Sequence, residues 1–301
     1  MRKNEVMSGV GKRIVSPFIS FEWRMMIPLL LLMAVIVAYP LLYSIWISFR
    51  NIEIIKPSQN DFVGFGQFAT ALSEPLFWIA VKNTFTFLVI AVSLELILGL
   101  VLALALIKQK RFSNVIRAIL LTPIFVTPVA VGLMFRFLLS TQFGLITDIL
   151  SRLGIHIDFF NSNTALLSIA MIDVWQWTPF MMLMLLAGLE SLPKEPFEAA
   201  YVEGASSWQV LTRITIPLLK PVIIVAVLIR SLDALKVFEY VYAITRGGPG
   251  TATETLQYYI YKVGFGFYRL SEAAASAWIV VLMVMLLVVV FLWRTARGES
   301  R

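Results

Sequence analysis

Cysteine is absent from this chain of 301 residues. That excludes disulfides, thiol chemistry and cysteine-bound metals. Histidine is almost absent. His156 stands alone in a polar connector, with no second imidazole to share a metal. Charge is scarce: Asp, Glu, Lys and Arg make up 14% of the chain, against ~25% in an average soluble protein. No Ser-His, paired-Asp or His-Glu-x-x-His arrangement is present to run chemistry inside a membrane. Gly9-Val-Gly11-Lys12 is not a phosphate loop. It lacks the first glycine at the right spacing, lacks Ser or Thr after Lys12, and follows no strand. No other nucleotide-binding motif is present in the sequence. Internal repeats are missing as well, which weighs against an ion-coupled secondary transporter built from inverted halves.

What the chain has is apolar sequence, at 59% hydrophobic residues. Stretches of the ~20 residues needed to cross a bilayer recur along it. The reading is an all-α polytopic membrane protein with six spans, at about 25–48, 80–106, 115–139, 165–189, 218–241 and 272–293. The first apolar run is too long for a cleavable signal peptide and ends without a small-residue cleavage site, so it reads as an uncleaved anchor. Residues 1–24 and 294–301 are expected to be tails around one membrane domain, 25–293. Pro123, Pro128 and Pro179 fall inside spans and predict kinks.

The net charge of +7 is explained by topology and does not call for nucleic acid. One side of the six-span scheme collects fifteen Lys and Arg residues, among them Arg2, Lys3, Lys108, Arg111, Lys194, Arg213 and Arg294. The other side holds seven, including Arg50, Lys82, Arg152 and Lys262. The bias predicts both termini and the 190–217 connector in the cytoplasm.

That connector is organised like a docking element. Pro193 and Pro196 suit a helix start, and Glu195 and Glu198 favour its positive end. Ala200 and Gly204, four apart, are expected on one nearly bare helical face. Gly204 can also take positive φ and end the helix. Ser206 with Gln209 predicts a capping box for a second short helix carrying Trp208 and Leu211. Pro217 is expected to break that helix before the next span.

Two sets of polar residues lie within spans. Arg230, Asp233, Lys236 and Glu239 are three apart with alternating sign, which predicts a ladder along one helix. Intramembrane ions avoid lipid, so the ladder faces the bundle, a partner or a wet cavity. A self-neutralising structural ladder and a part in recognition or gating both fit. Asp173, Gln176 and Phe180 share one helical face, with Trp177 at its edge. Carboxylate, amide and aromatic groups together could form a sugar wall, and aromatics anchoring a span end fit as well. Glu95, one turn from Gly99, reads as a hydrogen bond to another helix. Arg136 could snorkel to the outer interface.

The connector resembles the EAA loop of ABC-importer permeases: Glu198-Ala199-Ala200, three residues, Gly204, nine residues, then Ile214-x-Leu-Pro217. Ile216 stands in the Leu position. Phe62-Val-Gly64-Phe, Asn83-Thr84, Glu95 with Gly99, Pro123, Gly144, Asp173-Val-Trp175, Pro179-Phe180, Leu192-Pro193 and Gly247-Gly248-Pro249 follow in the order of the carbohydrate-uptake branch, over about residues 25–295. The resemblance is to the maltose-F-like permeases, without their extra N-terminal spans or large outer insertion. It implies a type I importer fold and a bacterial inner-membrane location. It implies a second, homologous permease subunit, an extracytoplasmic solute-binding protein and two ATPase subunits that hold ATP and Mg. No cofactor is expected in this chain. Glu198, Ala199, Ala200, Gly204, Ile214 and Pro217 would couple to the ATPases, and the expected cargo is a sugar. A polyol or glycerol-phosphate importer is the alternative.

Overall fold

The computed structural model describes residues 21–53, 55–109 and 112–299. The 1–20 part of the expected N-terminal tail lies outside the described residues. Helix α1 (Phe21–Met33) runs through a wide π-turn at Ala34–Ala38 into α2 (Tyr39–Ser48). Together they give an apolar helix, Met25–Ser48, long enough to cross a membrane. Up to Trp46 this helix is a compact unit by itself; residues from Ile47 onward make up the second.

The second unit opens with a feature absent from the all-α expectation. Strands β1 (Arg50–Glu53) and β2 (Lys56–Phe62) pair antiparallel, Arg50 opposite Phe62 and Asn51 opposite Asp61. Then follow α3 (Gly66–Ser73) and α4 (Pro75–Lys108), 34 residues long with its proline in the first turn, where a missing N–H costs nothing. Helix α5 (Ser113–Leu121), a tight turn at Thr122–Phe125 and α6 (Pro128–Leu138) occupy the predicted third span. The two halves are bent by 91° at the Pro123–Pro128 stretch. This is a broken segment, sharper than the kink that single prolines predict. Helices α7 (Leu145–Arg152) and α8 (Ala165–Glu190) come next, with Pro179 inside α8.

After α8 lie α9 (Glu195–Val202), α10 (Ser207–Val210), a π-turn at Leu211–Thr215 and α11 (Ile216–Ala234). Pro217 does not break the chain here. Helix continues from Ser207 to Ala234, and the wider turn before Pro217 absorbs the lost hydrogen bond. The helix then stops at Ala234, short of the predicted 241. It resumes as a turn of helix and a π-turn at Val241–Thr245. Helix α12 (Leu256–Tyr261), another π-turn and α13 (Leu270–Glu299) complete the described chain. Among the described residues, five helices are long and apolar enough to cross a membrane, or six if the bent pair is one span.

The main core is the packing of α4, α8 and α11. Phe87 and Ala91 on α4, Met181, Met182 and Leu185 on α8, and Leu219 on α11 are fully buried. A smaller core joins Ala71, Phe77 and Ala80 to Tyr259, Val263 and Ala273. Elsewhere α4 and α13 present apolar faces outward, through Val89, Ile97, Val101, Leu282 and Leu286. Lipid accepts such faces, since helices satisfy their own backbone groups.

Candidate functional site

At the heart of the main core sits a charge cluster. The Arg230 guanidinium on α11 is 1% exposed. Its Nε donates to Glu95 Oε2 at 2.7 Å and its Nη2 to Glu95 Oε1 at 3.0 Å, a two-pronged grip on α4. Nη2 also donates to Asp173 Oδ2 on α8, and Nη1 to Asp233 Oδ2 at 2.9 Å. Glu95 and Asp173 are buried, whereas the Asp233 side chain is 53% exposed. Arg230 Cζ also lies 5.1 Å from the centre of the half-buried Trp177 ring, a cation–π distance. Three helices thus meet on one guanidinium. Its fork geometry suits several carboxylates at once, which a lysine ammonium would not match.

This arrangement differs from the predicted ladder. Arg230 and Asp233 do pair along α11. The helix ends one residue later, so Lys236 and Glu239 leave its face. Lys236 is exposed and Glu239 half-buried, and neither makes an ion pair among the described residues. The predicted sugar wall is likewise divided. Trp177 and Phe180 are half-buried and meet edge to face at 6.4 Å. Asp173 and Gln176 are buried, with their polar atoms already held by protein. Gln176 Nε2 donates to the Val126 carbonyl at 2.6 Å, and its Oε1 accepts from the Tyr240 hydroxyl at 2.5 Å.

Two parts of the cluster escaped the sequence reading. Glu95 was not matched to Arg230, and Tyr240 was not singled out. For the first, the sequence shows only that an intramembrane carboxylate needs a partner; Arg230, with Asp233 as its near neighbour, was one of several cations it could have met. Arg136 uses a third strategy, donating to the Ala243 carbonyl at 3.1 Å.

The connector between α8 and α11 forms a second site. Helix α9 ends at Val202, and Gly204 follows with φ +76°. Ala205 N–H returns to the Ala200 carbonyl at 2.9 Å, closing the helix end. The expected shared face of Ala200 and Gly204 is therefore not formed. Ala200 is buried beneath the turn, and Gly204 lies beyond it in the open, with nothing beyond its chain neighbours within 4 Å of where a Cβ would stand. The Ser206–Gln209 capping box is present in both directions. Glu198, Ala199 and Pro217 are exposed and Ile214 half-buried. Tyr201, Val202 and Trp208 are 65%, 90% and 71% exposed, a concentration of apolar side chains on a loop otherwise built of polar turns. Beside them lies a cleft of about 900 Å³, lined by Leu104, Ile107, Leu189, Phe197 and Trp208.

A many-helix domain with apolar spans, broken segments, a polar centre and an exposed helical connector has the architecture expected of a membrane permease. The comparisons sharpen that class. Residues 95–297 match the family described as binding-protein-dependent transport system inner membrane component. The trehalose/maltose transport system permease protein of Thermococcus litoralis is 36% identical over 88% of this chain and 88% of its own length. The sulfoquinovosyl glycerol transport system permease protein of Agrobacterium fabrum is 35% identical over 88% and 87%. Among solved structures, a chain of a bacterial ABC transporter involved in import of the acidic polysaccharide alginate superposes with TM-score 0.80. It is 24% identical, over 92% of this chain and 95% of that one; the likeness is one of fold. The protein belongs to the family of binding-protein-dependent transport system inner membrane components.

Proposed function

We propose that the protein forms one half of the translocation pathway of an ATP-driven importer for a mono- or oligosaccharide. The observation that carries this reading is the connector at 195–217. It is ordered by a positive-φ glycine and a capping box, yet it exposes Tyr201, Val202 and Trp208. Apolar exposure on a built surface marks a partner site. The partners would be two ATPase subunits that hold ATP and Mg, a second, homologous permease subunit and an extracytoplasmic solute-binding protein. Relatives named for trehalose/maltose, sulfoquinovosyl glycerol and lactose transport support a sugar as cargo. In this reading Trp177, Phe180, Asp233, Lys236 and Glu239 face the cargo. Asp173, Gln176 and Arg230 shape the wall from behind.

The test is uptake by the assembled complex in proteoliposomes, with labelled disaccharides and the cognate binding protein. Uptake should require ATP hydrolysis and should survive collapse of ion gradients. Uptake that ignores ATP and stops with the gradients would overturn the proposal.

Both termini and the connector would lie in the cytoplasm of an inner-membrane protein. Since the chain has no cysteine, single thiols report sidedness. Ser206→Cys should react only with reagents that reach the cytoplasm, and Thr251→Cys only from outside. Outside labelling at position 206 would refute the orientation.

A further inference from the structure

Among the described residues, two helix discontinuities lie at the core, and a single side chain spans both. The first is the bend at Val126-Thr127, between α6 and the helical turn Thr122–Phe125 that follows α5. The second is residues 235–238, where the chain leaves α11 before turning helical again at Glu239. Gln176, on the unbroken α8, is fully buried. Its amide donates to Val126 O in the first discontinuity, at a carbonyl N-terminal to Thr127, the cap of α6. Its carbonyl accepts from Tyr240, which is 3% exposed and sits one residue past the restart at the second.

The segments beyond the two breaks are fastened to each other. Helix α6 packs on the turn at Val241–Thr245. A Cβ built on Gly132 would stand 3.0 Å from Ala243 Cβ and 3.6 Å from Tyr240 Cα, so a side chain here would press tightly on the 239–246 segment. Arg136 Nη1 closes the same contact on Ala243 O. Against α8 the described contacts differ in kind. Phe135 meets Trp175 edge to face at 5.3 Å, a contact that tolerates sliding. The two hydrogen bonds of Gln176 are directional. Beside this pair of segments an open cleft of about 680 Å³ reaches Asp158 and Phe160, so there is room for displacement.

The geometry points to one device: α6 and residues 239–246 move as a single element on two breaks, and Gln176 is the positioning residue that sets its resting place against α8. Neither hydrogen bond alone would achieve this. An amide that donates to one break and accepts at the other makes displacement of either break felt at the second. Leaving a buried amide unpaired is costly, so the pin favours two positions, held or fully released. This assignment rests on the proposed transport function for its consequence, though not for its geometry.

Two measurements test it on the complete complex. In transport, Gln176→Met keeps the volume and removes both hydrogen bonds. Maximal uptake should fall about tenfold, equivalent to one step of barrier change, while the half-saturating sugar concentration changes less. Tyr240→Phe should lose part of that rate. The double variant should be no slower than Gln176→Met, because both bonds act through one pin. A raised half-saturating concentration with unchanged maximal rate would make Gln176 a sugar contact. Losses that multiply in the double variant would also overturn the assignment.

The second measurement does not need uptake. Spin labels at Phe137→Cys with Tyr242→Cys report distance within the element, and at Phe137→Cys with Leu167→Cys the distance from it to α8. On trapping with ATP and vanadate, the first distance should hold within ~2 Å and the second should shift by roughly 5 Å, one helical turn. In Gln176→Met the second distribution should already be broad at rest. Divergence of the first distance would break the single element, and an unchanged resting distribution would remove the pin. If the wild-type complex moves no sugar, the transport proposal fails while these distances still decide the device.

Discussion

Arg230→Met is expected to remove most of the folded protein from the membrane. The substitution keeps the bulk of the side chain and deletes four hydrogen bonds to three carboxylates. Glu95 and Asp173 stay behind, buried, on separate helices. Breaking a buried ionic contact from one side costs about 3–5 kcal/mol, because the remaining charge has neither water nor partner. That is a large share of the ~5–15 kcal/mol that holds a typical domain together. The yield of complex surviving detergent extraction should fall at least about tenfold, the equivalent of 1.4 kcal/mol. The decisive comparison is the triple variant Glu95→Gln, Asp173→Asn, Arg230→Met. Neutral amides remove the stranded charges, so yield should return to within a few-fold of wild type. Arg230→Lys should fall between, because an ammonium keeps the charge and loses the fork. Normal yield in Arg230→Met would show that the cluster does not hold the helices together. Failure of the triple variant to recover would show that shape and not charge sets the cost.

How much of this was legible beforehand follows from sequence separation. The connector reads directly because its parts are local: a proline start, a glycine end and a capping box within about twenty residues report on their own backbone. Four of the apolar helices, near the first, second, fourth and sixth expected spans, follow from length and apolarity, whereas the third is broken and the fifth runs from Ser207 to Ala234. The Glu95–Arg230 pair is 135 residues apart in sequence, and no local rule joins such positions. The break after Ala234 was hidden because Leu235-Lys236-Val237 contains neither Gly nor Pro; there the Val237 carbonyl accepts from the Thr255 hydroxyl at 3.1 Å, a contact between positions no local rule joins. At Pro123 and Pro128 the disruption was visible but its size was not, because proline removes a bond without saying where the chain then goes. The hairpin at Arg50–Phe62 went unseen for a similar reason. Pro57 and the polar stretch after it argue against a strand by propensity, yet Ile52 N–H finds the Ser271 hydroxyl at 2.9 Å and ties the segment to α13. Gln176 shows the same limit in the site: its residue type fitted a sugar contact, and only its burial revealed two backbone breaks as its business.

Substitutions at Gly204 should separate backbone strain from docking, and Gly204→Trp is expected to abolish uptake while the protein still inserts. At φ +76° any side chain carries some left-handed strain, of order 1–2 kcal/mol for an ordinary residue. Asparagine tolerates this region better than most. Within the chain, a Cβ here meets nothing within 4 Å beyond the neighbouring residues. Strain alone therefore predicts a loss of stability that is smaller for Gly204→Asn than for β-branched Gly204→Val and that does not follow side-chain volume. A partner docked against the loop predicts more: loss that grows with side-chain volume, from asparagine to tryptophan, with no matching loss of inserted protein. The readouts are uptake, amount of inserted chain and co-purification of the ATPase subunits. Tryptophan should reduce both uptake and ATPase recovery by at least about tenfold, since overpacking a formed interface costs roughly 1–3 kcal/mol. Glu198→Ala should be mild, because an exposed ion pair contributes only ~0–1 kcal/mol. Normal uptake by Gly204→Trp would leave the loop without a docking role. Equal loss in valine and tryptophan would assign the glycine to its backbone conformation alone.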